Sequence, residues 1–269
     1  MSVFVGPIFA LLVISISSLI MVRGADALPA VTEGLVSAYE FNGDAGDGTG
    51  NGNDGTVSGA VLTTDRFGAS GSAYSFDGGS SVITAGSVII PGQQALSVSA
   101  WFYRTTPLPN SYTSNIVNQA DVNGDGAGFS LMLKETTGGN SRVRFLWNDQ
   151  QGGRSDVSTE DVEYLSWNHV VGVYDGALQA IYLNGVLVNS VANQGAITFP
   201  SNPFRIGHED RPEVAGFAGK IDDVYIYDRA LSASEVQTLF SSVPEPATGI
   251  LLSLGLLGLT RARPRPVPR

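Results

Sequence analysis

Six residues carry the chemistry this sequence could do. Asp47 and Asn51 sit in a glycine-rich loop, DAGDGTGNGNDGTV over 44–57, and Asp222 sits far downstream in IDDVYIY. Calcium takes about six to eight oxygens from carboxylates, amides and backbone carbonyls, and a loop of this composition can fold its carbonyls around an ion. These three residues are therefore candidate calcium ligands. The plainer reading is an Asx-turn loop plus an aspartate bonded to backbone amides. Trp101, Tyr103 and Trp147 are candidate sugar-binding residues, because the apolar faces of pyranose rings can stack on aromatic side chains. Core packing is the commoner use of each.

Other constellations point away from catalysis. DVNGDG at 121–126 has the spacing that opens an EF-hand loop, but its twelfth position is Met132, which cannot ligate, and GFSLML after it alternates like a strand. A hairpin loop is the better reading. Glu160, Asp161 and Glu163 are the nearest thing to the carboxylate pair of a glycosidase, yet their surroundings read as a solvated acidic turn. His169 and His208 lack metal-ligand spacing, and His169, beside Trp167, reads as structural. There is no cysteine, and no serine lies in a Gly-x-Ser-x-Gly elbow. The expectation is a protein that binds and is not an enzyme.

The elements that must position these residues are strands. ALSVSAWFYR puts Leu96, Val98, Ala100 and Phe102 on one face and Trp101 and Tyr103 on the other, so both faces must be partly covered. Segments 128–134 and 142–148 alternate around the 136–140 turn. Asp175-Gly176 and Asn184-Gly185, flanked by hydrophobic residues, both read as type I′ hairpin turns. In IDDVYIY, strict alternation places Asp222 with Val224 and Ile226, so a buried carboxylate there must be bonded, paired or metal-bound. Ser232 and Glu235 then form a capping box that starts a short helix carrying Val236, Leu239 and Phe240.

The 269-residue chain has 33 glycines and a formal charge of −10. Its terminal segments hold five of the basic residues, leaving 28–242 with ten basic and twenty-three acidic side chains, a net of −13. Such a domain disfavours nucleic acid and anionic membranes as partners. Residues 2–22 carry no charge, and Ala25-Asp26-Ala27 supplies small residues at a cleavage site, so 1–27 reads as an export signal peptide; an uncleaved anchor is the alternative. The tail, 243–269, has Pro244-Glu245-Pro246, an apolar run from Ala247 to Leu259 and a basic end. That run is shorter than the ~20 residues an independent membrane helix needs.

Three blocks resemble one family. Gly219, Ile221 to Val224, Ile226, Tyr227, Arg229 to Ser232, Glu235 and Val236 look like the end of a bacterial laminin G-like domain of concanavalin A type. Tyr39, Phe41, Asp47, Gly50, Asn51, Gly52 and Gly55, then Phe76-Asp77-Gly78, resemble its opening. Trp167, His169, Val170, Tyr174 to Gly176, Tyr182, Asn184 and Gly185 resemble its middle. The resemblance implies an all-β, concanavalin A-like jelly-roll sandwich of two antiparallel sheets over 28–242, with helical apolar ends. It also implies a structural calcium where the first loop meets the last strand. The tail resembles a PEP-CTERM sorting signal, in which a membrane peptidase cuts near Pro-Glu-Pro. Together these imply an exported protein of the cell surface or extracellular matrix of a Gram-negative bacterium. Its expected partners are a glycan or polysaccharide and the sorting peptidase, with transient membrane association through the termini. A structural component of a polysaccharide layer is the alternative function, and a glycan hydrolase or lyase a distant third.

Overall fold

The computed structural model describes residues 28–88, 94–107, 113–120, 128–136, 140–148, 154–192, 202–208 and 214–242. The signal segment, the DVNGDG loop and the sorting tail lie outside these residues.

In chain order the strands are β1 (Leu35–Tyr39), β2 (Thr56–Ser58), β3 (Val61–Thr64), β4 (Ser70–Asp77), β5 (Val82–Ala85), β6 (Leu96–Arg104), β7 (Thr113–Ala120) and β8 (Gly128–Glu135). Then come β9 (Ser141–Asn148), β10 (Arg154–Val162), β11 (Trp167–Tyr174), β12 (Leu178–Leu183), β13 (Val186–Ala192), β14 (Phe204–Ile206), β15 (Val214–Ala215) and β16 (Ala218–Tyr227), followed by helix α1 (Ala233–Ser241). Sheet A has the order β13-β12-β11-β6-β16-β4-β3, with β1 also on β16. Sheet B has the order β10-β9-β8-β7-β14-β5-β2, with the short β15 parallel to β7 and all other pairs antiparallel.

The period-two pattern explains the sandwich. Val98, Ala100, Phe102, Ile221, Val224 and Ile226 of sheet A meet Leu131, Leu133, Val143, Phe145 and Ile206 of sheet B in one core. Burial of this apolar area dominates the stability of a domain without disulfides. Gly172 on β11 lets Phe145 of the other sheet approach: a Cβ there would lie 2.6 Å from the ring. The opposite face of sheet A is covered as well. Val171, Val173, Tyr225 and Tyr227 pack under Leu231, Val236 and Leu239 of the C-terminal segment. The capping box forms as expected, Glu235 N donating to Ser232 Oγ and Ser232 N to Glu235 Oε2.

Three local expectations are corrected. Asn184 and Gly185 both have positive φ (49° and 82°), as a type I′ turn requires, but of the other pair only Gly176 does (96°). The Asp175 carboxylate instead accepts the Ala177 and Leu178 amides, an Asx turn that lengthens the connection. Residues 160–162 belong to β10, after a register shift between Ser158 and Asp161, and are not a turn. On β16 a second shift, between Asp222 and Tyr225, breaks strict alternation. Asp223 takes φ 44° there. This bulge inserts one residue, so Val224 and Ile226 enter the core with Ile221 while Asp222, paired across the sheet with Trp101, stays on the outer face.

Candidate functional site

The early loop is built around Asp47. Its Oδ1 accepts Ala38 N (3.0 Å), Thr49 N (3.1 Å) and Thr49 Oγ1 (2.8 Å), and its Oδ2 accepts Asn53 N (3.4 Å). Asn51 Nδ2 donates to the Val36 carbonyl at 2.9 Å. The loop thus laces itself to β1 through hydrogen bonds of its own side chains. Next to it, Glu40, Asn42 and Asp44 line a shallow surface pocket.

Asp222 lies in a different environment. It accepts Asp223 N at 2.8 Å and Arg66 Nη1 at 3.2 Å, and Arg66 reaches Asp223 at 2.6 Å. The Arg66 guanidinium lies 4.5 Å from the ring centroids of both Phe67 and Trp101. Its Nη2 donates to the Ser242 carbonyl at 3.5 Å. Burial and the neighbouring Asp223 push the Asp222 carboxyl up against the pull of Arg66. Burial raises Asp223 too, again opposed by Arg66. Asp47, Asn51 and Asp222 are therefore not brought into one ligand set, and among the described residues no three His, Cys, Asp or Glu side chains could hold a metal. Asp222 has the Arg66 guanidinium as its counterion and Asp47 accepts N–H and O–H donors, so the two carboxylates sit in separate hydrogen-bond networks.

The aromatic candidates separate likewise. Trp147 is 1% exposed and stacks on Tyr174 inside the sandwich (5.5 Å), because its face of β9 is the core face. Trp101 is 8% exposed, on the outer face but stacked beneath Phe240 of α1 (5.7 Å) and beside His169 (5.0 Å). Neither ring is open to a sugar. His169 shares a 2.8 Å hydrogen bond with Ser99, and burial, aided by Arg66, pushes its pKa down to about 3.

Tyr103 remains accessible. Helix α1 ends over Trp101, and the next row of sheet A beyond it is half-buried: Trp167, Tyr103, Lys220 and Ser75 are direct cross-strand partners on β11, β6, β16 and β4. Tyr103 and Trp167 are half-buried, with ring centroids 5.7 Å apart and planes inclined at 58°. Lys220 Nζ lies 5.7 Å from the Tyr103 centroid and donates to Thr64 Oγ1 at 2.9 Å. Trp167 and Lys220 were missed in the sequence. The available signal was phase: Trp167 is two residues from His169 and Lys220 two from Asp222, so each shares a face with a residue paired to Trp101.

The carboxylates considered for catalysis are occupied or apart. Asp161 accepts Asn140 Nδ2 (2.9 Å) and Arg142 Nε (3.3 Å). Glu163 lies beyond β10, exposed. A carboxylate the sequence did not single out, Glu135, is buried 3.6 Å from Arg104 and accepts Ser141 Oγ at 2.7 Å.

Two face-to-face sheets of almost wholly antiparallel strands, with a helix on one outer face, define a jelly-roll domain of concanavalin A-like type. The sequence places it further: residues 77–237 match the laminin G type of the concanavalin A-like lectin/glucanases superfamily, and the chain belongs to that family. Residues 242–265 match the PEP-CTERM protein-sorting motif, which marks an exported protein of Gram-negative type. No curated protein matches the sequence. Among solved structures, domain 4 of AbnA, an extracellular GH43 arabinanase from Geobacillus stearothermophilus in complex with arabinotriose, is similar at TM-score 0.64 and 22% identity, over 77% of this chain and 98% of that one. The binding domain of Paraclostridial mosquitocidal protein 1 is similar at 0.62 and 21%, over 77% of this chain and 52% of that one. A botulinum neurotoxin type C structure, whose cell entry depends on two ganglioside molecules, follows at 0.58 and 14%, over 77% and 50%. The chain thus spans about half the length of the two toxin chains, and at these identities the likeness is one of fold.

Proposed function

We propose that this exported protein binds carbohydrate at the cell surface or in the extracellular matrix, through the half-buried row of sheet A beyond α1, and that it binds without catalysing. The observation that carries the reading is the Tyr103–Trp167 pair. Two inclined, half-buried rings on adjacent strands make a rigid angled seat for the apolar face of a sugar ring, and Lys220 beside them can donate to a hydroxyl or carboxylate. Strand-borne rings lose little freedom on binding, which favours affinity. The arabinotriose held by the AbnA domain supports a glycan as the ligand class.

The test is binding of the chain ending at Ser242 to immobilised polysaccharides, arabinan included, for wild type, Tyr103→Ala and Trp167→Ala. Both variants should lose binding while keeping the wild-type melting temperature. Undiminished binding by Trp167→Ala would remove this site.

A second reading, a structural component of a polysaccharide layer without a specific ligand, is favoured by edge strand β13. It carries exposed Val186 (62%) and Leu187 (50%) and no charged residue, where edge strands usually carry protective charge. Concentration-dependent association of the same chain, without polysaccharide binding, would select it.

A further inference from the structure

We propose that the rim where the tail leaves the domain is a membrane-contact surface, presented to the lipid interface while the tail is still attached. The proposal rests on the sorting motif and not on the glycan reading.

The exit point is fixed. Ser97 Oγ donates to the Arg229 carbonyl (2.8 Å) and accepts Leu231 N (2.9 Å), holding the approach to α1 on β6. The helix ends with Phe240 stacked on Trp101 and with the Ser242 carbonyl held by Arg66. From Ser242 only Val243, Pro244, Glu245 and Pro246 precede the apolar run that starts at Ala247. At no more than ~3.6 Å per residue, that run begins within about 18 Å of Ser242. With the run in lipid, this rim of sheet A has to lie close to the bilayer.

The rim is made of residues suited to that position. Trp167, Tyr103 and Lys220 span three adjacent strands, and Trp, Tyr and Lys are the side chains that place an apolar body in the interface and a polar tip in water. Around them Leu165 (65% exposed), Val61 (65%) and Phe67 (49%) offer apolar surface. Val61 is the cross-strand partner of Ser75 in the same row, and the Leu165 amide donates to the Arg104 carbonyl, one residue past Tyr103. Phe67 stacks on the same Arg66 that holds Ser242. Three acidic groups close to the exit are engaged: Asp222 and Asp223 by Arg66, and Asp65 by the Phe67 and Ala69 amides. A domain that is strongly acidic as a whole thus turns a rim rich in aromatic and apolar side chains toward its own apolar tail. If both readings hold, removal of the tail frees Tyr103 and Trp167 for polymer.

Because the chain has no cysteine, single labels report cleanly. The full chain is reconstituted into phosphatidylethanolamine–phosphatidylglycerol vesicles with an environment-sensitive fluorophore at Phe67→Cys, Leu165→Cys or, at the opposite end of β11, Ala177→Cys. The Phe67 and Leu165 labels should shift to the blue and be quenched by lipids brominated on the acyl chain, and should lose both effects in the chain ending at Ser242. The Ala177 label should show neither. Rim labels that behave like the Ala177 label in the full chain would overturn the proposal. Loss of polysaccharide binding by the shorter chain bears only on the glycan reading.

Discussion

Arg66 and Asp223 meet at 2.6 Å beneath the C-terminal helix, 157 positions apart in sequence, with Asp222 on the same guanidinium at 3.2 Å. One cation against two buried carboxylates closes the outer face of sheet A, and the bulge on β16 is what turns both acids toward it.

Removing the cation should therefore cost more than removing a surface pair. Arg66→Ala leaves two buried carboxylates uncompensated, and loss of one partner of a buried ion pair typically costs about 3–5 kcal/mol. Denaturant unfolding should show that loss, and Asp222→Asn in the same chain should recover part of it. Additive losses would mean that Arg66 and Asp222 do not interact in the folded state.

His169 sets a pH dependence. Its folded pKa, about 3, lies below the unfolded 6.5, so below pH 6.5 the unfolded chain takes up a proton that the folded chain refuses. Stability is lost as pH falls through this window, by about 2 kcal/mol between pH 6.5 and about pH 5. Asp222 and Asp223, whose folded values are raised, act with the opposite sign, so the comparison has to be between wild type and His169→Gln. The variant should lose the histidine part of the slope, and parallel pH profiles would refute the assignment.

Asp47 should behave as a loop organiser. Asp47→Ala strands up to four donors on β1 and the loop, and the destabilisation should be of equal size in calcium and in chelator. Asp222→Ala should likewise show no calcium dependence. A loss at Asp47 that calcium enlarges would return this residue to the role of a metal ligand.

Gly172 should resist substitution. A Cβ at that position meets the Phe145 ring at 2.6–2.9 Å, and overpacking of this kind costs about 1–3 kcal/mol. Thermal melts of Gly172→Ala should show the drop, and Phe145→Leu should relieve it.

Export should leave its mark on mass. Surface material from cells expressing the full chain should lack residues 1–27 and much of the segment after Val243, as intact-mass measurement would show. Both apolar ends still present on surface-displayed protein would contradict the export and sorting expectation.

Much of the fold was readable because its strands are long and alternate, and because Asn184-Gly185 and Ser232 with Glu235 encode their own geometry. The site was less readable. Strict alternation puts Asp222 in phase with Val224 and Ile226, and one inserted residue at Asp223 reverses that; no residue type in Asp-Asp announces a bulge. Trp147 and Trp101 look alike in sequence as strand aromatics. What separates them from Tyr103 is which face lies in the core and where α1 stops, and both are properties of the assembled sheets. Arg66 lies in a short loop, with nothing local in sequence to indicate Asp222 and Asp223 as its partners.

The last strand made is also the one most surrounded. β16 pairs with β6 on one side and with β4 and then β1 on the other, so that Tyr39 waits for Val224. Until residue 227 has emerged, sheet A has a gap through its middle, and neither β1 nor β4 has its long-range neighbour. Such distant pairs close late, so the middle of sheet A cannot be completed before its own final strand is available. Completion of the domain is thereby timed to the arrival of its own end, immediately ahead of the sorting tail. A chain ending before Ala218 should accordingly show no cooperative unfolding transition, and one would indicate that the sandwich can close without its central strand.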